Sequence, residues 1–209
     1  MKMLQLETLL QAKDKLRQQI KANLNKLSQK EKDIQSTVVV NKVLSSKVFQ
    51  ECQRISIYLP MKNEVNTLPI LRAMLNNGKQ CFIPHYHNDD MIMSKLESWE
   101  HYEKLPINTW GIRQPTHFDL SNDAILNGGL DLILMPGLAF TKDGRRLGRG
   151  KGYYDKYLQK CEDLGLQPKT VALLFKEQLV DNVPISDNDK LVDFVFYPSE
   201  EEMSTSYIF

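Results

Sequence analysis

Residues 54–84 read RISIYLPMKNEVNTLPILRAMLNNGKQCFIP and hold two short strands with a helix between them. RISIYLP (54–60) is a run of β-branched and aromatic residues that stops at proline, which is typical of a strand. TLPILRAMLNNG (67–78) begins with Thr67 as a candidate N-cap and ends on glycine, so a helix is expected. QCFIP (80–84) is a second strand. A strand, a helix and a strand within about 30 residues form a βαβ unit, which predicts a parallel sheet.

The rest of the chain extends this pattern in both directions. Further strands are expected at four short apolar runs: 91–98, 130–136, 170–175 and 193–197. The second of these is the most apolar and is therefore expected at the centre of the sheet. Helices are expected where apolar residues recur at helical spacing: 4–27, 30–50 and 154–164. Residues 100–129, rich in proline and glycine, are interpreted as a long connection with one short helix.

These elements together predict an α/β fold. We expect a single domain over residues 1–209, with an open, mostly parallel twisted sheet and helices on both faces, as in Rossmann-like proteins. A long N-terminal helix precedes the sheet.

Composition excludes several classes of protein. The chain has 209 residues, 42% hydrophobic and 25% charged, as in a globular protein with a core. A net charge of +1 gives no global field that would attract nucleic acid or membrane. The three cysteines are far apart and lack CxxC spacing, which favours a reducing compartment over a disulfide framework or a zinc site. No apolar run reaches the about 18 residues that span a bilayer. Glu7 and Asp14 are atypical of a mitochondrial presequence, so a cytoplasmic protein is expected.

The chemistry of the chain is concentrated in GRRLGRGKGYYD, residues 144–155. Its glycines and charges argue against a core strand, and its first half does not suit a helix. It lies between the central strand and a helix, which is where open α/β sheets bind ligands. Glycines let backbone N–H groups approach an anion, and the helix N-terminus adds partial positive charge. Four cations complete the set: Arg145, Arg146, Arg149 and Lys151. A polyanion such as the phosphates of a nucleotide is the expected ligand.

This segment fits neither common phosphate-loop motif. A Walker A loop requires Ser or Thr after Gly-Lys, whereas Gly152 stands there. A dinucleotide loop requires GxGxxG, whereas the third glycine here follows the second after one residue only. Two other interpretations stay open: a solvated basic hairpin, and an RGG-like contact whose two tyrosines stack on bases. Both are less favoured, because the segment is single and directly follows a buried strand.

Asp155 lies just inside the expected helix, beside the phosphates that the loop would hold. Mg²⁺ is commonly bound through one or two carboxylates, with phosphate oxygens as further ligands. SDNDKLVD (186–193) offers a second carboxylate from Asp187, Asp189 or Asp193. From the residues alone, a helix N-terminal charge without a ligand explains Asp155 equally well.

The longer segment MPGLAFTKDGRRLGRGKGYYDKYL (135–158) resembles the signature of the 5-formyltetrahydrofolate cyclo-ligase family, also called methenyltetrahydrofolate synthetases. Seven further blocks resemble counterparts in that family in the same order, and the animal-type members look nearest. The blocks are AKDKLR (12–17), RISIYLPMKNEV (54–65), GKQCFIPHY (78–86), NTWGIRQP (108–115), GGLDLILMPG (128–137), ALLFKEQ (172–178) and VPISDNDKLVD (183–193). One glycine motif would be weak support, but collinear blocks over nearly the whole chain are specific.

The resemblance implies an enzyme that uses ATP and Mg²⁺ to convert 5-formyltetrahydrofolate to 5,10-methenyltetrahydrofolate, ADP and phosphate. In this reaction the formyl oxygen is phosphorylated, N10 of the folate attacks the activated carbon, and phosphate leaves. Such chemistry needs positioning and charge neutralisation rather than a nucleophilic Ser or Cys. The implied substrate is a polyglutamylated folate. A monomer without nucleic-acid or membrane partners is expected, the latter because the net charge is only +1.

The resemblance also implies roles for individual residues. Arg149, Lys151 and Tyr153 match the catalytic positions. Positions that match ATP contacts are Lys13, Arg17, Arg146, Leu147, Gly148, Arg149, Gly150, Lys151, Gly152, Tyr153 and Tyr154. Positions that match folate contacts are Leu59, Glu64, Tyr86, Trp110 and Tyr153. Asp155 and Asp189 match the magnesium positions. Of the two adjacent tyrosines, Tyr154 is expected to face the core and Tyr153 the substrate.

Departures and alternatives are few. Many bacterial members have glycine where this chain has Lys151 and histidine where it has Asn188, so the role of Lys151 is less secure than that of Arg149. A sugar-phosphate isomerase of similar architecture is one alternative, although a single phosphate requires neither extra cations nor Mg²⁺. A nucleic-acid-binding module is the other, and the net charge of +1 weighs against it.

Overall fold

The segment 54–84 forms the expected parallel βαβ unit in the computed structural model, which describes residues 2–206. The helices and strands follow in chain order: α1 (Lys2–Lys26), α2 (Gln29–Ser45), α3 (Lys47–Glu51), β1 (Arg54–Ile57), α4 (Leu68–Asn76), β2 (Gln80–His87), β3 (Asp90–Leu96), α5 (Trp99–Lys104), β4 (Leu132–Met135), β5 (Ala139–Phe140), β6 (Arg146–Leu147), α6 (Tyr153–Asp163), β7 (Lys169–Leu173), β8 (Phe194–Phe196) and α7 (Glu200–Ser206). Three short 3-10 helices lie at Leu120–Asn122, Ala124–Asn127 and Lys176–Gln178.

The main sheet has six strands in the order β3-β2-β1-β4-β7-β8. β4 is central, as its apolar sequence predicted, and its residues are fully buried. All neighbouring strands pair in parallel except β2 and β3, which form an antiparallel hairpin. From β1 the chain adds β2 and β3 toward one edge of the sheet, and from β4 it adds β7 and β8 toward the other edge. The crevice between the carboxyl ends of these two strands is therefore the expected place for a ligand.

Helices cover both faces of the sheet because alternate residues of each strand point to opposite sides. Leu132 and Leu134 pack into a core with side chains of the first four helices. Ile133 and Met135 pack into a second core under α6, which contributes Tyr157 among other side chains. The expected single α/β domain with helices on both faces is thus confirmed. Within residues 2–206, no helix is both long and apolar enough to cross a membrane.

The structure differs from the sequence-based expectations at three places. The helix expected over 30–50 is broken at Ser46. Its hydroxyl donates to the Val43 carbonyl at the end of α2 and accepts the Phe49 N–H in the first turn of α3. The proposed N-cap Thr67 donates its hydroxyl to the Tyr58 carbonyl at 2.6 Å rather than capping α4. The C-terminal helix α7 has no counterpart among the predicted elements.

A further difference concerns the glycine-rich segment itself. The expectation that it holds no core strand is wrong for Arg146 and Leu147, which are buried in β6 and pair with β5. Leu147 is apolar enough to fill the core, and Asp155 neutralises the charge of Arg146 at 2.8 Å. The β5–β6 hairpin holds the rest of the loop at the crevice between β1 and β4.

Candidate active site

An apolar-walled cavity of about 290 Å³ opens at the crevice between β1 and β4. We call it the first cavity. The expected folate-contacting residues all line it: Leu59, Glu64, Tyr86, Trp110 and Tyr153. They come from the segment after β1, the end of β2, the long connection and the start of α6. The topology thus brings together residues that are far apart in the sequence.

Three aromatic rings form one wall of the first cavity. The ring centroid of Tyr86 lies 5.7 Å from that of Trp110 and 5.0 Å from that of Tyr153. Trp110 is 51% exposed, so much of this residue is accessible to a ligand. The Tyr153 hydroxyl donates to the Asn88 carbonyl at 2.7 Å, which fixes the ring at the cavity wall. A flat heteroaromatic ring can stack in this place.

Glu64 provides a buried carboxylate beside these rings, and its side chain is only 6% exposed. One oxygen accepts the Met61 N–H at 2.9 Å. The other accepts Nη2 of Arg149 at 2.7 Å and its Nε at 3.1 Å. A carboxylate in this place can accept two N–H bonds from a ligand, provided that Arg149 moves away.

A second cavity, of about 480 Å³, adjoins the first where the glycine-rich loop faces α1. The loop conformation depends on glycine, because Gly150 and Gly152 have φ angles of 112° and 67°. Among the described residues, this cavity is lined by one carboxylate, that of Asp14, and by four cations: Arg17, Lys21, Arg149 and Lys151. The Arg17 Nε–H donates to the Gly148 carbonyl at 3.0 Å, which joins the helix to the loop.

Sequence reasoning missed three residues of the second cavity, Asp14, Gln18 and Lys21. Lys21 could have been predicted from the sequence, because it follows Arg17 by four residues and so lies on the same helix face. Conversely, the structure does not bring Arg145 to the site. Its guanidinium pairs with Asp143 at 3.2 Å and with Asn182 at 3.1 Å, and it lines neither cavity.

Other expected ATP contacts are distributed around the two cavities. Gly148, Gly152, Tyr154 and Arg146 line the first, and Gly150 lines the second. The side chain of Leu147 is buried in the core, and the Leu138 N–H donates to its carbonyl at 2.7 Å. Lys13 lines neither cavity.

The two expected magnesium ligands are each held by a cation. Asp155 accepts from Arg146 at 2.8 Å through one oxygen and from the Lys190 N–H at 3.1 Å through the other. Asp189, next to Lys190 in the chain, pairs with Lys13. Burial raises the pKa of Asp189, but hydrogen bonds from Lys13 and Ser186 outweigh that effect and lower it. Asp189 therefore stays ionised at neutral pH.

No group of three or more His, Cys, Asp or Glu side chains that could hold a metal ion exists among residues 2–206. The arrangement still fits Mg²⁺, which is commonly bound by one or two carboxylates and takes its other ligands from phosphates and water. A metal at this place would depend on a bound phosphate. The candidate carboxylates would also have to exchange their present cationic partners for it.

Two buried donors beside the first cavity have no hydrogen-bond partner in the described chain: Nε of Arg146 and the Tyr154 hydroxyl. Tyr154 is 6% exposed and lies in the core under α6, as expected, yet it also lines the first cavity. Burial, with a smaller effect of neighbouring Tyr86, raises the pKa of Tyr154, so its hydroxyl remains a donor. Unpaired buried donors are costly in a native structure, and acceptor oxygens of a ligand would satisfy these two. Phosphate oxygens at the junction of the two cavities are one source of such acceptors.

Comparisons with known proteins agree on one family. A model of the 5-formyltetrahydrofolate cyclo-ligase family matches residues 10–198. The chain is 44% identical over 189 residues to a 5-formyltetrahydrofolate cyclo-ligase of Mus musculus, with 89% of this chain and 93% of the mouse protein covered. It is 37% identical to a probable 5-formyltetrahydrofolate cyclo-ligase of Caenorhabditis elegans, with 91% and 94% covered. The solved structure of a 5,10-methenyltetrahydrofolate synthetase from Aquifex aeolicus superposes with a TM-score of 0.71, at 25% identity and 88% coverage of both chains.

Proposed function

The chain belongs to the 5-formyltetrahydrofolate cyclo-ligase family, and from that premise we propose that it closes 5-formyltetrahydrofolate to 5,10-methenyltetrahydrofolate with ATP and Mg²⁺. The observation that carries the proposal is the junction of two unlike cavities. An apolar, aromatic-walled cavity with a buried carboxylate meets a cation-lined cavity, and Arg149 and Lys151 belong to both. A folate and a triphosphate placed there would meet at these two side chains.

The first cavity is the proposed folate site. The pterin ring would lie against Tyr86 and Trp110, and its N–H edge would donate to Glu64. Leu59, which follows β1 and is 5% exposed, would pack against the ring. Excluding water from this wall strengthens every electrostatic contact inside the cavity.

The second cavity is the proposed site of the triphosphate. Arg17 would bind it from α1, the glycine-rich loop would supply backbone N–H groups, and Arg149 and Lys151 would neutralise charge where the phosphoryl group transfers. Asp155 and Asp189 would hold Mg²⁺ together with phosphate oxygens. When bound, ATP supplies the phosphoryl group that turns the formyl oxygen into a leaving group. Tyr153, which lines the first cavity, would hold the folate in line for this transfer.

Several expectations from the sequence remain part of the proposal. They are a polyglutamylated substrate, a monomeric and cytoplasmic protein, and the lack of nucleic-acid or membrane partners. The net charge of +1 supports the last of these. Light scattering would test the monomer, and filter binding at two salt concentrations would test for nucleic-acid binding.

The proposed activity has an optical test. Purified protein mixed with 5-formyltetrahydrofolate, ATP and Mg²⁺ should develop the near-ultraviolet absorbance of the methenyl product. Samples that lack ATP, or that contain EDTA, serve as controls and should stay flat. Equal absorbance with and without ATP would contradict the proposal, and so would no absorbance in the complete mixture.

A further inference from the structure

Arg149 lies at the boundary of the two cavities, but its guanidinium is held on one side. It lines both the first and the second cavity. Two of its nitrogens donate to one oxygen of Glu64, at 2.7 and 3.1 Å. Arg149 therefore cannot bind a phosphate with its whole fork while it keeps this pair.

Glu64 is the more buried partner, at 6% side-chain exposure against 39% for Arg149. Among the described residues, its carboxylate receives hydrogen bonds from Arg149 and from the Met61 N–H. Moving Arg149 to a phosphate would leave one oxygen of a buried carboxylate without a donor. Removing one partner of a buried pair is strongly unfavourable, because the remaining charge is not compensated. A triphosphate alone must compete with Glu64 for Arg149.

A ligand with N–H donors in the first cavity changes this balance. The N–H edge of a pterin can satisfy the carboxylate of Glu64, and the desolvated charge no longer depends on Arg149. The guanidinium can then turn to the second cavity, where Arg17, Lys21 and Lys151 already favour an anion. One exchange of partners thus prepares both sites.

We propose that the Glu64–Arg149 pair is an exchange switch that couples the two substrates: a folate on Glu64 releases Arg149 to the phosphates of ATP. This inference rests on the proposed function and adds a positioning role for Glu64, which acts on the phosphate site through Arg149. Coupling between two binding sites is reciprocal, so ATP must raise the affinity for the folate by the same factor as the folate raises the affinity for ATP.

Isothermal titration calorimetry tests the switch. A β,γ-imido analogue of ATP is titrated with Mg²⁺ into the protein, with and without saturating 5-formyltetrahydrofolate. The wild type should bind the analogue about 5- to 150-fold more tightly when the folate is present, the usual range of coupling between two sites. In Glu64→Gln the amide does not hold Arg149 by charge. This variant should bind the analogue more tightly than the wild type without folate, and its coupling factor should fall close to one.

Asp14→Asn is the matched control, because it also removes one negative charge near the triphosphate. Asp14 lines the second cavity and pairs with Arg17. It does not contact Glu64 or the first cavity in the described structure. This variant should raise the affinity for the analogue equally with and without folate and keep the wild-type coupling factor. The comparison separates partner exchange from a general change in charge.

Independent binding of the two ligands to the wild type would overturn the switch while leaving the proposed function intact. Full coupling in Glu64→Gln would also overturn it. If neither ligand binds the wild type, the proposed function fails and the switch fails with it. If circular dichroism shows that Glu64→Gln does not fold, Arg149→Ala replaces it. That variant removes the other partner of the pair, so its affinity for the analogue should be the same with and without folate.

Discussion

Arg145 and Arg149 belong to one loop and have the same chemistry, but their surroundings differ. Arg149 lies against the buried Glu64 between two cavities. Arg145 pairs with Asp143 and Asn182 at the surface. The sequence could not separate the two, because the direction of each side chain depends on the β5–β6 hairpin. At the scale of single residues, function follows from what each side chain faces.

Arg149→Ala should reduce kcat by about 10²- to 10³-fold, as expected when one charge-stabilising donor is lost. The change also leaves the buried carboxylate of Glu64 without its cation, so the free energy of unfolding should fall, and kcat is compared only while the variant is folded. The formation of methenyl product measures activity, and circular dichroism measures folding. Arg145→Ala is the control and should keep wild-type activity. Equal losses in the two variants would place the transferring phosphoryl group elsewhere.

Asp155→Asn should raise the Mg²⁺ concentration needed for half-maximal activity by at least about 10-fold, because a carboxylate ligand becomes a neutral amide. Asp163→Asn, at the other end of α6, removes the same charge far from the loop and serves as the control. Magnesium titrations of activity compare the two variants with the wild type. If the Asp155→Asn titration superposes on that of the wild type, Asp155 is not a ligand.

At the scale of elements, the β5–β6 hairpin determines where the loop lies. Gly144 turns the chain between the two strands with a φ angle of 88°, and the Val192 N–H donates to its carbonyl at 2.8 Å. A Cβ added there would overlap the Val192 carbonyl oxygen. The turn therefore joins the loop to the segment that carries Asp189, and no side chain fits at this junction.

Gly144→Ala should lower the free energy of unfolding by more than Gly165→Ala does. Both glycines have positive φ, so each alanine costs about 1–2 kcal/mol of backbone strain. Gly165 follows α6, and a Cβ added there would come within 4 Å of no other part of the described chain. An alanine at position 144 would also overlap the Val192 carbonyl oxygen, which adds to the cost. Denaturant unfolding at 25 °C compares the two variants. An equal loss in both would mean that the hairpin and the C-terminal segment are not closely joined.

The long connection that carries Trp110 is attached to β2 by an aromatic contact. Phe118 packs edge-on against His85 and stacks on His87, with ring centroids 5.1 Å apart in both pairs. Burial lowers the pKa of His85, and the nearby His87 and His117 lower it further. His85 is only 2% exposed, so it is held neutral in the folded chain.

This histidine should make stability depend on pH. Its folded-state pKa is below the ordinary value of 6.5, so the unfolded chain binds more protons as the pH falls below 6.5. The stabilising contribution is complete above pH 6.5 and is lost as the pH falls toward the lowered pKa, by at most about 1.4 kcal/mol per pH unit. Unfolding of the wild type and His85→Gln between pH 7.5 and 5.5 measures the difference. If the free energies of unfolding of the two proteins change with pH in parallel, His85 is not the source of the pH dependence.

Local patterns predicted most of the elements because their causes are local. The apolar runs indicated the strands, helical spacing indicated α1 and α6, and the flanking Thr67 and Gly78 indicated α4. The break at Ser46 depends on one hydroxyl that bonds in both directions, and the segment around it reads as continuous helix. The burial of Arg146 depends on Asp155, nine residues later, and no local pattern contains that pair.

At the scale of the whole molecule, the sheet order assembles the site. Lys13, Glu64, Arg149 and Asp189 come from four distant segments and meet in two ion pairs. The resemblance to a family indicated each of these residues separately as a functional residue. Their pairing with one another could not be predicted from the sequence, because the partners lie 176 and 85 positions apart along the chain. Glu64 and Asp189 are proposed to bind the folate and Mg²⁺. In this structure they pair instead with Arg149 and Lys13, which are proposed to bind phosphate.

In the proposed reaction both substrates meet at Arg149, and the formyl oxygen receives the phosphoryl group. A folate labelled with ¹⁸O in its formyl group tests this transfer. The protein is given the labelled folate, ATP and Mg²⁺, and the inorganic phosphate released is analysed by mass spectrometry. Each phosphate formed should carry one ¹⁸O atom, and it should appear in step with the methenyl product. Unlabelled phosphate alongside that product would contradict this transfer, because the formyl oxygen would then have left by another route.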